Sequence, residues 1–289
     1  MRNAVDLSGA PAYFRTRDPG RYDDTRGDPA NLIVWRGLLS SWDAWALTFA
    51  LTVIMPALGY RRFHRFLARR DQVVPLRRKL TLYGRIVCLQ WFLVAAMLVI
   101  LRRHGLSASD AGERLGDAHL TFVVTSALLL VLAVVSGIVL WRLRRAQLPA
   151  LVAAVGRLRR LMPASGVEMA AFVCVCLTAG ICEELLYRGW LVNILRVATG
   201  STWVAVVAGA IVFGIGHAYQ GIKGILRTAF VGLQLAVLFV ALGSLIPGQV
   251  LHVGVDLLAG VAGALAVFRL SAAEAKQRAG YSADTATSA

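Results

Sequence analysis

A chain of 289 residues that is 57% hydrophobic and only 16% charged, yet carries a formal net charge of +15, does not have the make-up of a soluble domain; those run about half apolar and about a quarter charged. Its charges cluster between long apolar runs, the pattern of an all-α, polytopic helical membrane protein whose arginines mark cytoplasmic span ends and meet anionic lipid. Nucleic-acid binding, the rival explanation of so basic a chain, finds little support, because the arginines punctuate apolar runs and no soluble domain is large enough to gather them.

In chain order, residues 1–40 read as a polar, flexible N-terminal tail, rich in Asp, Arg, Pro and Gly over its first 30 positions and without a signal-peptide pattern. Residues 41–160 read as the N-terminal transmembrane helices and their basic joints. A span needs about 20 apolar residues to cross a hydrocarbon core of about 30 Å. The first candidate is 41–60, followed by the basic joint RRFHRFLARRDQVVPLRRK (61–79). The second is 82–101, with Arg85 close enough to its end to snorkel. A mixed-charge loop leads to the third and most uniformly apolar span, 120–141. Residues 142–160 hold six arginines and no acid, which predicts an interfacial amphipathic helix. Four more apolar segments follow at 167–190, 202–217, 224–244 and 248–268, and the tail 271–289 is polar and predicted disordered. The expected total is about seven spans, within a range of six to eight.

Counting positive charges places the joints 61–79, 142–160 and GIKGILR (221–227), with the C-terminal tail, on the cytoplasmic side and the N-terminus outside. The expected location is therefore a cell membrane, crossed several times. Lysine occurs only at 79, 223 and 276, so arginine dominates, as in chains from GC-rich bacterial genomes. The four cysteines, Cys88, Cys174, Cys176 and Cys182, lie in apolar segments as small buried hydrophobes, and the Cys174/Cys176 spacing is neither a zinc nor a redox pattern.

Against that background the last four segments carry polar residues that are costly there: Glu168, Glu183, Glu184, Arg188, His217, His252 and Asp256. An ionisable group at the centre of a membrane helix costs about 2.5–3.5 kcal/mol on the insertion scale, so a cluster of them points to a polar intramembrane cavity. Glu168, near the start of its span, is expected to be solvated and incidental. In EELLYR (183–188), Glu184 and Arg188 are four apart with the acid N-terminal, the favourable order for a helical pair. Glu183 points about 100° away and has no partner on its own helix, which leaves it as the acid available for general-base chemistry. In FGIGH (213–217) the Phe213 ring can cover the His217 imidazole, and Gly214 and Gly216 permit a close helix neighbour. In HVGVD (252–256), Asp256 can orient His252 through a ring N–H. His64, His104 and His119 are assigned to loops. Each motif alone also reads as structural glue; three of them on three otherwise apolar helices read as a site.

EExxxR, FxxxH and HxxxD, in that order, resemble the signature of the CPBP family, which groups type II CAAX prenyl endopeptidases with Abi-like bacteriocin-processing and immunity proteins. The resemblance covers 165–270, the expected catalytic core; the earlier spans match only in being hydrophobic. Tyr187 stands where the family often has Phe, and Asp256 where it often has Asn. The resemblance implies an intramembrane endopeptidase cutting a membrane-associated peptide or protein. Glu183 would activate water, His217 and His252 would bind the water, a metal or the oxyanion, and Asp256 would complete the site. Glu184 and Arg188 would hold its geometry. Family members are commonly described as metalloproteases, which makes zinc on Glu183, His217 and His252 a candidate beside a metal-free mechanism. The expected partners are membrane lipids and the peptide or membrane-protein substrate. The alternative from the same family is a non-catalytic, Abi-like immunity or membrane-regulatory protein acting by binding. A small secondary transporter is disfavoured because residues 30–145 and 165–270 show no internal repeat. Positive-inside counting also puts Glu183 ~24 Å along its helix from the cytoplasmic face. Either the segment starts elsewhere, then, or the cavity opens outward.

Overall fold

Caps and breakers in the sequence set the helix boundaries of this computed structural model, which describes residues 29–68, 74–145, 147 and 156–287. Helix α1 (Pro29–Leu38) opens on a proline, tolerated there because its missing N–H has no helical acceptor. Helix α2 starts at Trp42 behind the Ser41 cap, passes through a π-helical stretch, Ala50–Ile54, and continues as Met55–Ala68. The π stretch precedes Pro56, which cannot donate to the preceding turn, so the irregular hydrogen bonding has a local cause. Helix α3 (Leu76–Arg103) begins after Pro75, and α4 spans Ala118–Arg145. A 3₁₀ turn, Gly156–Leu161, leads to α5, capped by Ser165, which runs through Gly166–Glu183, a second π stretch, Glu184–Val192, and Asn193–Thr199. Gly200, left-handed at φ 68°, ends it. Helix α6 (Thr202–Gly216), a 3₁₀ turn (Ala218–Gln220), α7 (Ile222–Leu242) and α8 (Ile246–Thr287) complete the chain.

All regular structure among the described residues is helical, and six helices are long and apolar enough to cross a membrane: α2, α3, α4, α5, α7 and α8. The predicted span at 202–217 is α6, which at 15 residues reaches only ~22 Å and falls short of a ~30 Å core. Two predicted tails need correction. Within 1–40, Pro29–Leu38 is a helix that buries Trp35 and Leu38, with Trp35 edge-on to Trp190 at 6.0 Å. Residues 1–28 lie outside the described residues. The predicted disordered tail continues α8 as helix to Thr287. Of the predicted amphipathic helix at 142–160, the first turn belongs to α4, the last residues form the 3₁₀ turn, and 146 and 148–155 lie outside the described residues. His64 and His119 are helical, and His104 ends α3 within 3.6 Å of Asp43, so none sits in an open loop.

The bundle has two chemically different ends. At one, the close of α2 meets the starts of α3 and α5 and the later turns of α8. Arg78 stacks 5.5 Å over the Phe66 ring, Lys79 pairs with Glu168 at 2.6 Å, and Arg269 donates to the Leu143 carbonyl. Among the described residues Arg77 and Arg78 open α3, Arg142, Arg144 and Arg145 close α4, and Arg159 and Arg160 lie in the 3₁₀ turn at this end. At the other end the loop between α3 and α4 docks on the α7–α8 turn, with Leu245 N–H bonded to the Gly112 carbonyl at 2.9 Å and Arg114 to that of Gly243 at 3.1 Å. The main packed core surrounds the second π stretch, whose nine residues are all buried. Large apolar side chains on α4, such as Phe122, Leu130 and Val134, point outward, as a lipid-facing helix requires.

Candidate functional site

The site is assembled where α5 changes from α to π winding, a local irregularity common at functional positions. Glu183 is the last α-helical residue and Glu184 the first π-helical one. Opposite them α8 comes unusually close: a Cβ on Gly180 would overlap the Val253 side chain and stand 2.9 Å from its amide nitrogen. That approach brings His252 against Glu184, with Nδ1 2.9 Å from Oε1. The same carboxylate oxygen accepts from Arg188 Nη1 at 2.8 Å. Arg188 also donates to the Gly232 carbonyl on α7 at 3.1 Å and lies 4.3 Å from the centre of the Phe213 ring. Glu184 and Arg188 are 1% and 2% exposed, so each charge depends on the other for solvation.

A carboxylate held by a guanidinium accepts rather than donates, so His252 carries its proton on Nδ1 and turns Nε2 toward the cavity. Asp256 Oδ2 stands 3.8 Å from this Nε2 and Glu183 Oε2 3.9 Å. These distances correct one expectation. Glu184, not Asp256, orients His252 by hydrogen bonding, while Asp256 and Glu183 flank the nitrogen that faces inward. His217, at the C-terminal end of α6, gives its Nδ1 to the Phe213 carbonyl at 2.9 Å, which again leaves Nε2 outward. Phe213 is the shared wall of the two imidazoles, with ring centroids 4.9 Å from His217 and 6.0 Å from His252. Gly214 touches α7 as its spacing predicts: a Cβ there would stand 2.7 Å from that of Ala229.

Glu183, His217, His252 and Asp256 line one cavity of about 1400 Å³. Arginines line it as well, among them Arg62, Arg77, Arg85 and Arg227, and much of the remaining wall is Leu, Ile, Val and Phe. Arg85, predicted to snorkel, lines this cavity. The cavity spans the depth that the sequence left unexplained: α5 starts at Gly166, as expected, and the space reaches Glu183 from the arginine-rich end. Among the described residues no group of three His, Cys, Asp or Glu side chains stands close enough together to hold a metal ion.

Several contributors escaped sequence reasoning. Gln90, on α3, donates to Glu183 Oε1 at 2.7 Å. A lone polar residue in the apolar run IVCLQWFLV was a usable signal, masked by its lack of charge. Glu168 is 6% exposed and ion-paired to Lys79, not solvated by headgroups. Trp190 donates to Thr48 at 3.1 Å, and Gln249, one turn before His252, donates to Glu113 at 2.7 Å. No local pattern announces such pairs, since the partners are separated by most of a domain in sequence.

Residues 165–258 match the family model described as type II CAAX prenyl endopeptidase Rce1-like, a stretch that holds every predicted site residue. Comparisons with curated proteins and with solved structures return no match.

Proposed function

We propose, on the premise that residues 165–258 are an Rce1-like domain of the CPBP/CAAX-protease family, that this multi-pass membrane protein is an intramembrane endopeptidase with Glu183 as its general base. The observation that carries the reading is the meeting of Glu183 Oε2, His252 Nε2 and Asp256 Oδ2 on the wall of a cavity deep among apolar helices. One acid bonded to a neutral amide rather than to a guanidinium, an imidazole oriented by a second acid, and space for an extended chain are the parts that peptide hydrolysis needs.

In this reading Glu183 takes a proton from water as the water oxygen bonds to the scissile carbonyl carbon. The carbonyl π electrons move onto oxygen, and the ring nitrogens of His252 and His217 that face the cavity accept from the water where the ring is neutral and donate to that oxyanion where the ring is protonated. On collapse the C–N bond breaks, and the proton on Glu183 passes to the leaving nitrogen, which regenerates the carboxylate. Asp256 keeps the approach to His252 polar. Glu184 and Arg188 are positioning residues, because they act through His252 and through the wall made by Phe213. The substrate class is a membrane-associated peptide or protein, which enters along a cavity that is apolar along its length and basic at its end.

The test is cleavage of a membrane-anchored fluorogenic peptide by the purified chain in lipid. Glu183→Ala should lower the rate by roughly 10²–10⁴-fold while leaving the unfolding midpoint in place. Undiminished cleavage in that variant would remove Glu183 from the chemistry and the reading with it.

A further inference from the structure

Gln90 lies outside the matched segment, on α3, in a run where every neighbour is apolar or aromatic. Among the described residues its amide makes one hydrogen bond, 2.7 Å from Nε2 to Glu183 Oε1. Since a carboxylate accepts and does not donate, the nitrogen must be the atom facing Glu183, and the amide oxygen is turned away. That oxygen is buried without a partner among the described residues, and so is Glu183 Oε2. A buried acceptor left unpaired is a cost to folding that a leucine in place of Gln90 would remove, but the leucine would also take the donor from Glu183 Oε1. The two offset, so stability by itself does not single out a glutamine here. What the bond does is geometric. With Oε1 held from α3, Glu183 loses rotation about its terminal torsion, and Oε2 is kept on the side of His252 Nε2, 3.9 Å away.

We propose that Gln90 is the positioning residue for Glu183, reaching from the N-terminal helices to aim the carboxylate of the matched domain. The inference rests on Glu183 being the base. It makes the site incomplete within 165–258 alone, because the atom that aims the base comes from a helix that shares only hydrophobicity with the family.

The experiment uses the full-length chain in lipid, the membrane-anchored fluorogenic peptide as probe, and three variants: Gln90→Leu, Gln90→Met and Gln90→Glu. Leu and Met lack any polar group; Glu sets a second carboxyl against Glu183, so the pair shares a proton and Glu183 loses its free-base form. All three should lower kcat about tenfold to a hundredfold, the scale of a lost bond to a charged group, with KM held within about twofold. Leu and Met remove one unpaired acceptor but leave Glu183 Oε1 without its donor, so the two effects offset and the unfolding midpoint should stay near that of the wild type while kcat falls, which a structural role would not give. Wild-type kcat in the three variants, with Glu183→Ala inactive, overturns the assignment of Gln90 and spares the protease reading. A loss of kcat that only follows a fall in unfolding midpoint overturns it as well. Cleavage absent from the wild type, or surviving Glu183→Ala, overturns the base and takes this inference with it.

Discussion

His252 stands between two kinds of carboxylate, and the difference between them divides the work. Glu184 is charge-paired, 1% exposed and bonded to the ring at 2.9 Å, so it fixes orientation; Glu183 and Asp256 approach the other nitrogen at 3.9 and 3.8 Å without closing on it. Removing Arg188 would strand a buried carboxylate. Arg188→Met is expected to destabilise the protein by about 3–5 kcal/mol and to abolish activity, measured by denaturant unfolding and reporter cleavage. Arg188→Lys keeps the charge but loses the fork that reaches both Glu184 and the Gly232 carbonyl, and should fall between the two. His252→Ala leaves the Glu184–Arg188 pair intact, so it should lose cleavage while keeping the unfolding midpoint near that of the wild type. A wild-type rate in His252→Ala would remove the imidazole from the mechanism.

At the level of elements, the contact between α5 and α8 decides whether the site exists. Their separation is set at Gly180, where a Cβ would meet both the side chain and the backbone of Val253. Gly180→Ala is expected to push the helices apart, at a cost of about 1–3 kcal/mol, and to lower kcat by lengthening the His252–Glu184 bond. Gly166→Ala is the matched control: nothing lies within 4 Å of its added carbon, so stability and rate should not change. Equal effects of the two substitutions would show that close approach is not what Gly180 provides. The π winding of Glu184–Val192 belongs to the same level. It packs into the main core through Leu185, Leu186, Trp190 and Leu191, so the stretch that begins at Glu184 is held on all sides.

Across the whole molecule, the ion pair of Lys79 with Glu168 joins the N-terminal helices to the matched domain, and both groups are nearly buried. Lys79→Met should cost about 3–5 kcal/mol by leaving Glu168 unpaired, and Lys79→Met with Glu168→Leu should recover most of it, read from unfolding midpoints. The arginine-rich end is expected to face the cytoplasm. With the four native cysteines replaced, Arg62→Cys and Arg227→Cys should react with a membrane-impermeant maleimide from that side, and Ser107→Cys from the other. The reverse pattern would invert the topology.

How much of this was legible in the sequence follows from the range of each interaction. Apolar runs of about 20 residues, broken by arginines, determined the all-helical membrane class and most helix positions, because lipid forces every span to satisfy its own backbone. The length of α6 was less legible, since an apolar run does not say where a Gly-rich helix stops. Charges out of place in that background singled out the candidate residues Glu183, Glu184, Arg188, His217, His252 and Asp256, because a buried charge is costly wherever the helices go. Only the tertiary structure decided the partners. It gave His252 to Glu184 rather than to Asp256, set Gln90 on Glu183 and Lys79 on Glu168, and extended one cavity from the arginines to the acids. Those contacts join residues dozens of positions apart, and helical spacing relates a side chain only to neighbours three or four positions away.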